Sequence, residues 1–412
     1  MAHSTIRFGY FLLLILVFDV VLPFRSAFSA QEVFQGYPPV IHSGGISAMK
    51  QLAPGVGWTI VQGQLLSTSD NGAVWTDITP PGPTGQTVDK LFFLDSAHAW
   101  VVYLDTSGTL DSQLSVHMFR TENGGQTWSP LRFDRSSYAG LKQTIAAPGP
   151  LFFVDLKHGW FLWKIQTSSA FSAGRLFRTD DGGATWTELP DPPSAGGFRF
   201  HTRLDGWIAG GAAGEELFVT DDGGETWQQK TVPPPTNCSK CRPVYGTPKF
   251  QNPNTASLMV TFEDDSTSEG RSVNSTYVTP DGGKSWQVKE AYEQTGPYPK
   301  TSIASQVDTH TVRVFSNARS GLQVRTEGGT INSSYPAGLP PRGSIAGADF
   351  VDDSNGWLIY QADKCTKFRN PATDGPGMEC MEVGHQNDLL ATTDGGKTFR
   401  IITPTVAGAS SR

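Results

Sequence analysis

Two acids, two glycines and a tryptophan fall within TDDGGATW at 179–186, and nearly the same string, TDDGGETW, returns at 220–227. Carboxylates grouped in this way suit three kinds of chemistry. They can hold a metal ion, grip a sugar, or accept backbone N–H groups from their own turn. Recurrence decides among these. The string comes back as TSDNGAVW (68–75), TENGGQTW (121–128), TPDGGKSW (279–286) and TTDGGKTF (392–399), with a damaged copy, TEGGT, from Thr326. The third position reads Asp70, Asn123, Asp181, Asp222, Asp281 and Asp394. Asn123 keeps the acceptor and drops the charge, an exchange that a metal ligand does not usually tolerate. These side chains are therefore expected to brace turns, as Asp, Asn and the leading Thr do by bonding nearby backbone N–H groups. The glycine two residues on would supply a positive φ. Trp75, Trp128, Trp186, Trp227 and Trp286 would then cover the turns with large apolar rings. No metal or cofactor is expected at these positions.

Such turns need strands on either side. An apolar residue lies two places before each leading Thr: Leu66, Phe119, Phe177, Phe218, Tyr277, Val324 and Leu390. Each copy thus reads as a strand, a tight turn and a second strand. A second motif alternates with the first: FLDSAHAW (93–100), FVDLKHGW (153–160), FHTRLDGW (200–207) and FVDDSNGW (350–357). His98, His158, Asp205 and Asn355 share one position in it, marking another hairpin turn. Two hairpins per unit make four antiparallel strands, and seven units fill roughly residues 45–403. The expected fold is all-β: a single seven-bladed β-propeller of four-stranded antiparallel blades. The chain divides as 1–30 an export signal, 31–44 a lead-in, 45–403 the propeller and 404–412 a flexible tail.

Composition agrees with this reading. Of the 412 residues 17% are charged, while 45 are Gly and 28 are Pro, a mix suited to short strands and turns. The formal charge of −7 argues against nucleic acid or anionic membrane as a partner. Arg7 precedes the apolar run FGYFLLLILVFDVVLPF, and Ala27 and Ser29 suit cleavage after Ser29, so a secreted or extracytoplasmic location is expected. An uncleaved signal would instead anchor the chain. No membrane span is expected after cleavage, and a monomer is expected. The four cysteines fit an oxidising compartment as two local disulfide pairs, Cys238/Cys241 and Cys365/Cys380. Other pairings and a zinc site are the alternatives; the spacing after Cys365 lacks the second half of a zinc site.

The string S/T-x-D-x-G-x-T/S-W resembles the Asp box, or BNR repeat, of sialidases, sortilin-type receptors and xyloglucanase-type hydrolases. With F-x-D-x-x-H-G-W before it, the pattern looks most like the photosystem II stability/assembly factor family. That resemblance implies a propeller that binds a protein partner, partly through a basic patch. This chain is acidic and has no dense arginine cluster; Arg120, Arg178 and Arg325 each precede a leading Thr. A sialidase would place an Arg-Ile-Pro motif and an Asp acid near the start of the propeller, yet 31–69 contain neither Arg nor Asp.

If the Asp box joins the third and fourth strands, the longest connections open at the opposite face: 102–117, 129–150, 164–175, 228–249, 262–275 and 361–388. Binding residues concentrate on such loops. Asp105, Asp111, Glu263, Asp264, Asp265 and Asp374 lie there, but none has the spacing of a looped calcium site, and none stands out as an acid or base. The expected function is an exported, non-enzymatic scaffold or assembly factor that binds a protein or cell-envelope glycan on that face. The alternative is a glycoside hydrolase or sugar-binding protein of the Asp-box superfamily, recognisable by two carboxylates flanking a cleft.

Overall fold

The computed structural model describes residues 45–404, apart from 83–85, 87, 106–114, 134–145, 167–171, 267–270, 296–301, 318–320, 327–328, 330, 335, 338, 340–342 and 370–378. The described chain folds into seven antiparallel sheets, each running in strand order 1-2-3-4. Blade 1 spans Ile46–Asp77, blade 2 Val88–Arg132, blade 3 Ala146–Glu188 and blade 4 Gly197–Lys230. Blade 5 spans Arg242–Thr295, blade 6 Ser302–Ser334 and blade 7 Gly343–Ile402. The fold is a seven-bladed β-propeller. Among the described residues every blade is built from consecutive strands, so none is completed by a strand from elsewhere in the chain. The expected export signal and tail lie outside the described residues.

The second strand is the core of each blade. Its sequences, AWVVY, GWFLW, GWIA and GWLIY, are unbroken apolar runs, as a strand covered on both faces requires. Trp100, Trp160, Trp163, Trp207 and Trp357 are accordingly fully buried. The fourth strands of blades 1 and 4 are short and polar. Gln228–Lys230 is exposed at every residue and Thr76–Asp77 likewise, which blunts the outer edge against pairing with other chains.

Two features depart from the simple repeat. The first strand of blade 5 is split into Arg242–Tyr245 and Lys249–Phe250, both paired with Ala256–Asp264. The 361–388 connection is largely a ribbon, in which Gly356–Arg369 pairs with Glu379–Thr392. Growing out as a hairpin lets an insertion satisfy its backbone groups locally, so sequence reads as loop what is mostly strand.

The ring closes between blades 7 and 1. Lys50 Nζ lies 2.7 Å from Asp349 Oδ1, and Gln51 N donates to Asp349 Oδ2 at 2.6 Å. Asn387 Nδ2 donates to Ile46 O at 2.9 Å.

Candidate functional site

The acidic turns join third and fourth strands, and the geometry repeats from blade to blade. In blade 3, Thr179 Oγ1 donates to Asp181 Oδ1 at 2.8 Å and accepts Gly183 N–H at 2.9 Å. Asp181 also accepts Thr185 N at 2.8 Å and Thr185 Oγ1 at 2.6 Å. Asp222, Asp281 and Asp394 repeat this set with Thr226, Ser285 and Thr398. Asp70 has Val74 opposite and takes two backbone N–H groups instead, from Ala73 and Val74 at 2.9 Å each. At Asn123 the last bond reverses, with Nδ2 donating to Thr127 Oγ1 at 2.8 Å. Both glycine positions need positive φ: Gly182 is at 74° and Gly183 at 94°, while Asn71 fills the first position of its box at 59°.

These bonds hold the carboxylates ionised. The Ser285 hydroxyl and N–H, with Thr279, pull Asp281 down to about 2. For Asp181, Asp222 and Asp394 partial burial pushes upward, but the threonine and backbone bonds outweigh it and the net shift is downward. With its oxygens spent inside the turn, this is a fastening device.

The two motifs interlock twice. Within a blade, the first box glycine donates to the turn between strands 1 and 2, as in Gly182 N to Lys157 O at 2.8 Å and Gly223 N to Leu204 O at 2.7 Å. Between blades, Trp100 Nε1 donates to Gly182 O at 2.9 Å and Trp160 Nε1 to Gly223 O at 3.0 Å. Trp357 Nε1 donates to Asn71 Oδ1 at 2.9 Å. Box tryptophans face the preceding blade: Trp128 Nε1 donates to Ile78 O, Trp75 packs on Trp357 and Trp286 on Trp207. Trp186 packs on Phe133, which follows blade 2, and on Phe153 of its own blade, and Trp227 packs on Phe200 of its own blade. His98 and His158 bond through Nδ1 to Asp95 and Asp155, the acids of their own turns. Arg120 and Arg178 pair with Glu122 and, across the blade boundary, Glu225.

At the opposite face the connection 228–249 is described in full. Cys238 and Cys241 are disulfide-bonded, with Cα atoms 5.2 Å apart. Arg271 anchors this staple to blade 5. Its Nη2 donates to Asn237 O at 2.9 Å and its Nη1 lies 3.7 Å from Cys238 Sγ. The same guanidinium grips Glu293 at 2.8 and 3.1 Å and Asp264 at 3.3 Å. Arg242 holds Asp265 at 3.1 Å, Glu263, and Ala213 O at 3.3 Å in the neighbouring blade. The 263–265 acids are thus side-chain anchors for two arginines. Bonds from the Ser266 hydroxyl and N–H, with Arg271, lower Asp264, and Arg271 lowers Glu293. Sequence reasoning overlooked Arg271 and Arg242. Their signal was an arginine on each side of an acidic run.

Asp111 and Asp374 lie outside the described residues, as does the side chain of Asp105. Cys365 and Cys380 sit on the blade 7 ribbon opposite Val383 and Phe368, and their side chains lie outside the described residues. No group of three or more His, Cys, Asp or Glu that could hold a metal ion occurs among the described residues. No described helix is long and apolar enough to cross a membrane.

Fold and repeats together define the class: this chain is an Asp-box β-propeller. A family model described as Sortilin-Vps10 (sortilin, neurotensin receptor 3) matches residues 174–334. No curated protein matches the chain. Among solved structures it is similar to YCF48 bound to a D1 peptide, at 13% identity and a TM-score of 0.46, covering 80% of this chain and 95% of that one. It is similar to YCF48 from Cyanidioschyzon merolae at 14% identity and a TM-score of 0.35, covering 88% of this chain and 86% of that one. It is also similar to a polysaccharide lyase, a PL25 ulvan lyase, at 10% identity and a TM-score of 0.42, covering 86% and 94%. At these identities the likeness is one of fold, which propellers of many functions share.

Proposed function

We propose that this protein is an exported, non-enzymatic propeller that docks a protein partner on its long-connection face, in a scaffold or assembly role. The observation that carries this reading is the ridge at blades 4 and 5, where one disulfide and two arginines pin three segments into a rigid polar surface. A surface ordered before binding loses less entropy on docking. Glu215, Glu216, Glu263, Asp264, Asp265 and Glu293 outnumber Lys240, Arg242 and Arg271 there, so the partner segment carries basic residues. The electrostatics point the same way. A glycosidase acid needs its pKa raised, whereas every described carboxylate on this ridge with a shifted pKa, Glu215, Asp264 and Glu293, is shifted down.

The test is a photo-crosslinking residue at Lys240 in the full chain within its own envelope fraction, with products identified by mass spectrometry. A single crosslinked protein, lost in high salt and in Glu215→Lys/Glu216→Lys, is the expected result. Release of reducing or unsaturated sugars from a polysaccharide panel would instead favour the carbohydrate-active reading. Export is checked by fractionation and by the mature N-terminus, expected after Ser29.

A further inference from the structure

Hydrophobic clusters join blade 7 to 1, 1 to 2, 2 through 4, 4 to 5 and 6 to 7, but among the described residues none joins blades 5 and 6. Polar groups close that boundary instead. Thr276 and Thr311 share a 2.7 Å hydrogen bond across it, and Gln306 Nε2 donates to Ser257 Oγ at 3.2 Å. Two arginines stand in the same boundary. His310–Asn317 pairs with Gly321–Arg325 so that Arg313 lies directly opposite Arg325, and the two side chains leave the sheet on one face. The Arg313 guanidinium lies 5.8 Å from the ring of Tyr292 in blade 5. In blade 3 the pair that meets the preceding blade is Phe161 opposite Phe177, packed on Phe133.

Arg120 and Arg178, which like Arg325 precede a leading Thr, lie against the next blade's box at Gly182 and Gly223. Blade 6 differs. Val324 lies against Gly396 of blade 7, and Asn332 Nδ2 donates to Gly395 O at 2.8 Å, so Arg325 is left on the face toward blade 5. Among the described residues neither Arg313 nor Arg325 makes a hydrogen bond or an ion pair, although Arg313 is only 3% exposed and Arg325 is half-buried. Burial and the like charge of Arg325 lower the Arg313 pKa against the pull of Glu290 and Tyr292, yet a guanidinium stays charged at pH 7. Like charges opposite each other and poorly solvated destabilise a fold unless an anion compensates them. Their donors can be reached. Only the Nε of each is sealed from solvent, while the Nη nitrogens, equally unbonded, open to it.

A guanidinium donates and accepts nothing, so the ligand must consist of acceptors. Water or a sugar hydroxyl would accept a bond but leave both charges uncompensated. Each planar fork takes two oxygens. A carboxylate has two oxygens and one charge, enough for one arginine. A sulfate or phosphate group has more oxygens and a second charge, enough for both. We propose that Arg313 and Arg325 together hold one tetrahedral oxyanion, a sulfate or phosphate group, at the boundary of blades 5 and 6.

The test is calorimetry on the full chain, dialysed into Tris chloride, with sodium sulfate, phosphate, phenyl phosphate and acetate at constant ionic strength. Sulfate or phosphate should bind saturably, and acetate about tenfold more weakly or less. Arg313→Met and Arg325→Gln should each weaken oxyanion binding about tenfold or more. Without sulfate or phosphate, Arg313→Met should not lower the urea midpoint, because it removes an unpaired buried charge. Glu290→Gln takes away a competing carboxylate and should tighten binding about threefold. Phenyl phosphate separates the sources: binding equal to phosphate assigns the group to the ester of a larger ligand, and exclusion assigns it to the free ion. No saturable binding of sulfate or phosphate would overturn the proposal, as would acetate binding equally well. Binding untouched by both arginine substitutions would place the anion elsewhere and overturn it too. A fall in stability with no oxyanion binding in Glu290→Gln would make Glu290 the counter-ion instead. Should Arg313→Met fail to fold, Arg325→Gln decides alone.

Discussion

Trp160 of blade 3 lies flat on Phe200 of blade 4, ring centroids 3.6 Å apart and planes within 1°, while its indole N–H reaches Gly223 of that same blade. One side chain thus holds both motifs of its neighbour. The stack depends on what faces the phenylalanine across its own sheet. Phe200 pairs with Gly206 and Phe153 with Gly159, and a Cβ on either glycine would come within 2.4 Å of the ring. Blade 2 carries Ala99 opposite Phe93. There the stack on Trp58 loosens to 5.5 Å and 19°, and the Trp58 indole has no hydrogen-bond partner.

Two substitutions separate the stack from the bond. Trp160→Phe keeps an aromatic ring and removes the N–H, leaving Gly223 O unpaired, at an expected cost of about 1–2 kcal/mol. Trp160→Ala removes a fully buried ring and should cost about 3–5 kcal/mol. Urea denaturation followed by circular dichroism measures both, and equal losses would show that the stack contributes nothing.

The fastening role of the acidic turns predicts an acid dependence. The folded pKa of Asp281, about 2, lies below its ordinary value of 3.8. A depressed carboxylate stabilises the fold above its unfolded pKa and loses that contribution as pH falls through the folded one. The loss should therefore fall between about pH 4 and pH 2. Asp281→Asn, which imitates the bond reversal at Asn123, should fold and show a smaller drop in urea midpoint across that window. Asp281→Ala should lower the midpoint at pH 7 as well. Equal acid sensitivity of Asn and wild type would contradict the assignment.

Much of this was legible in the sequence, because a repeat with period-two strands and turn residues at fixed offsets fixes a blade from local chemistry alone. Even blade 6, whose box has shrunk to TEGGT, keeps four strands, since Val312, Val314, Leu322 and Val324 still supply its core. Contacts between blades were not legible. Spacing within one repeat does not say which glycine of the next an indole will meet, and the ribbon of blade 7 has too mixed a pattern to read as strand. Val219 stands where three blades carry arginine, a contrast that gains meaning only once Arg120 and Arg178 are seen lying on their neighbours' boxes.

The Cys238–Cys241 staple closes a very short loop, so its effect on the unfolded chain is small, about 2 kcal/mol on the chain-entropy estimate. Cys238→Ser/Cys241→Ser should lower stability by about that amount. It should also release Asn237 from Arg271, which hydrogen exchange at residues 236–242 would register as faster exchange while the blade core stays protected. Unchanged exchange there would mean that Arg271 alone orders the ridge.

The seam between blades 1 and 7 rests on Lys50 and Asp349, whose side chains are each 13% exposed. A pair this far from water stabilises little overall, but losing one partner strands the other charge in a poorly solvated place. Asp349→Ala leaves Lys50 uncompensated and takes the acceptor from Gln51 N, and should cost about 3 kcal/mol. Lys50→Met/Asp349→Leu removes both charges and should recover most of that, the unpaired Gln51 amide keeping it short of wild type. The ring has no strand shared between its ends among the described residues, so this seam should open first. Limited proteolysis of Asp349→Ala should cut within blades 1 or 7 before any other blade. Cleavage starting in blades 3 or 4 would place the weak point elsewhere.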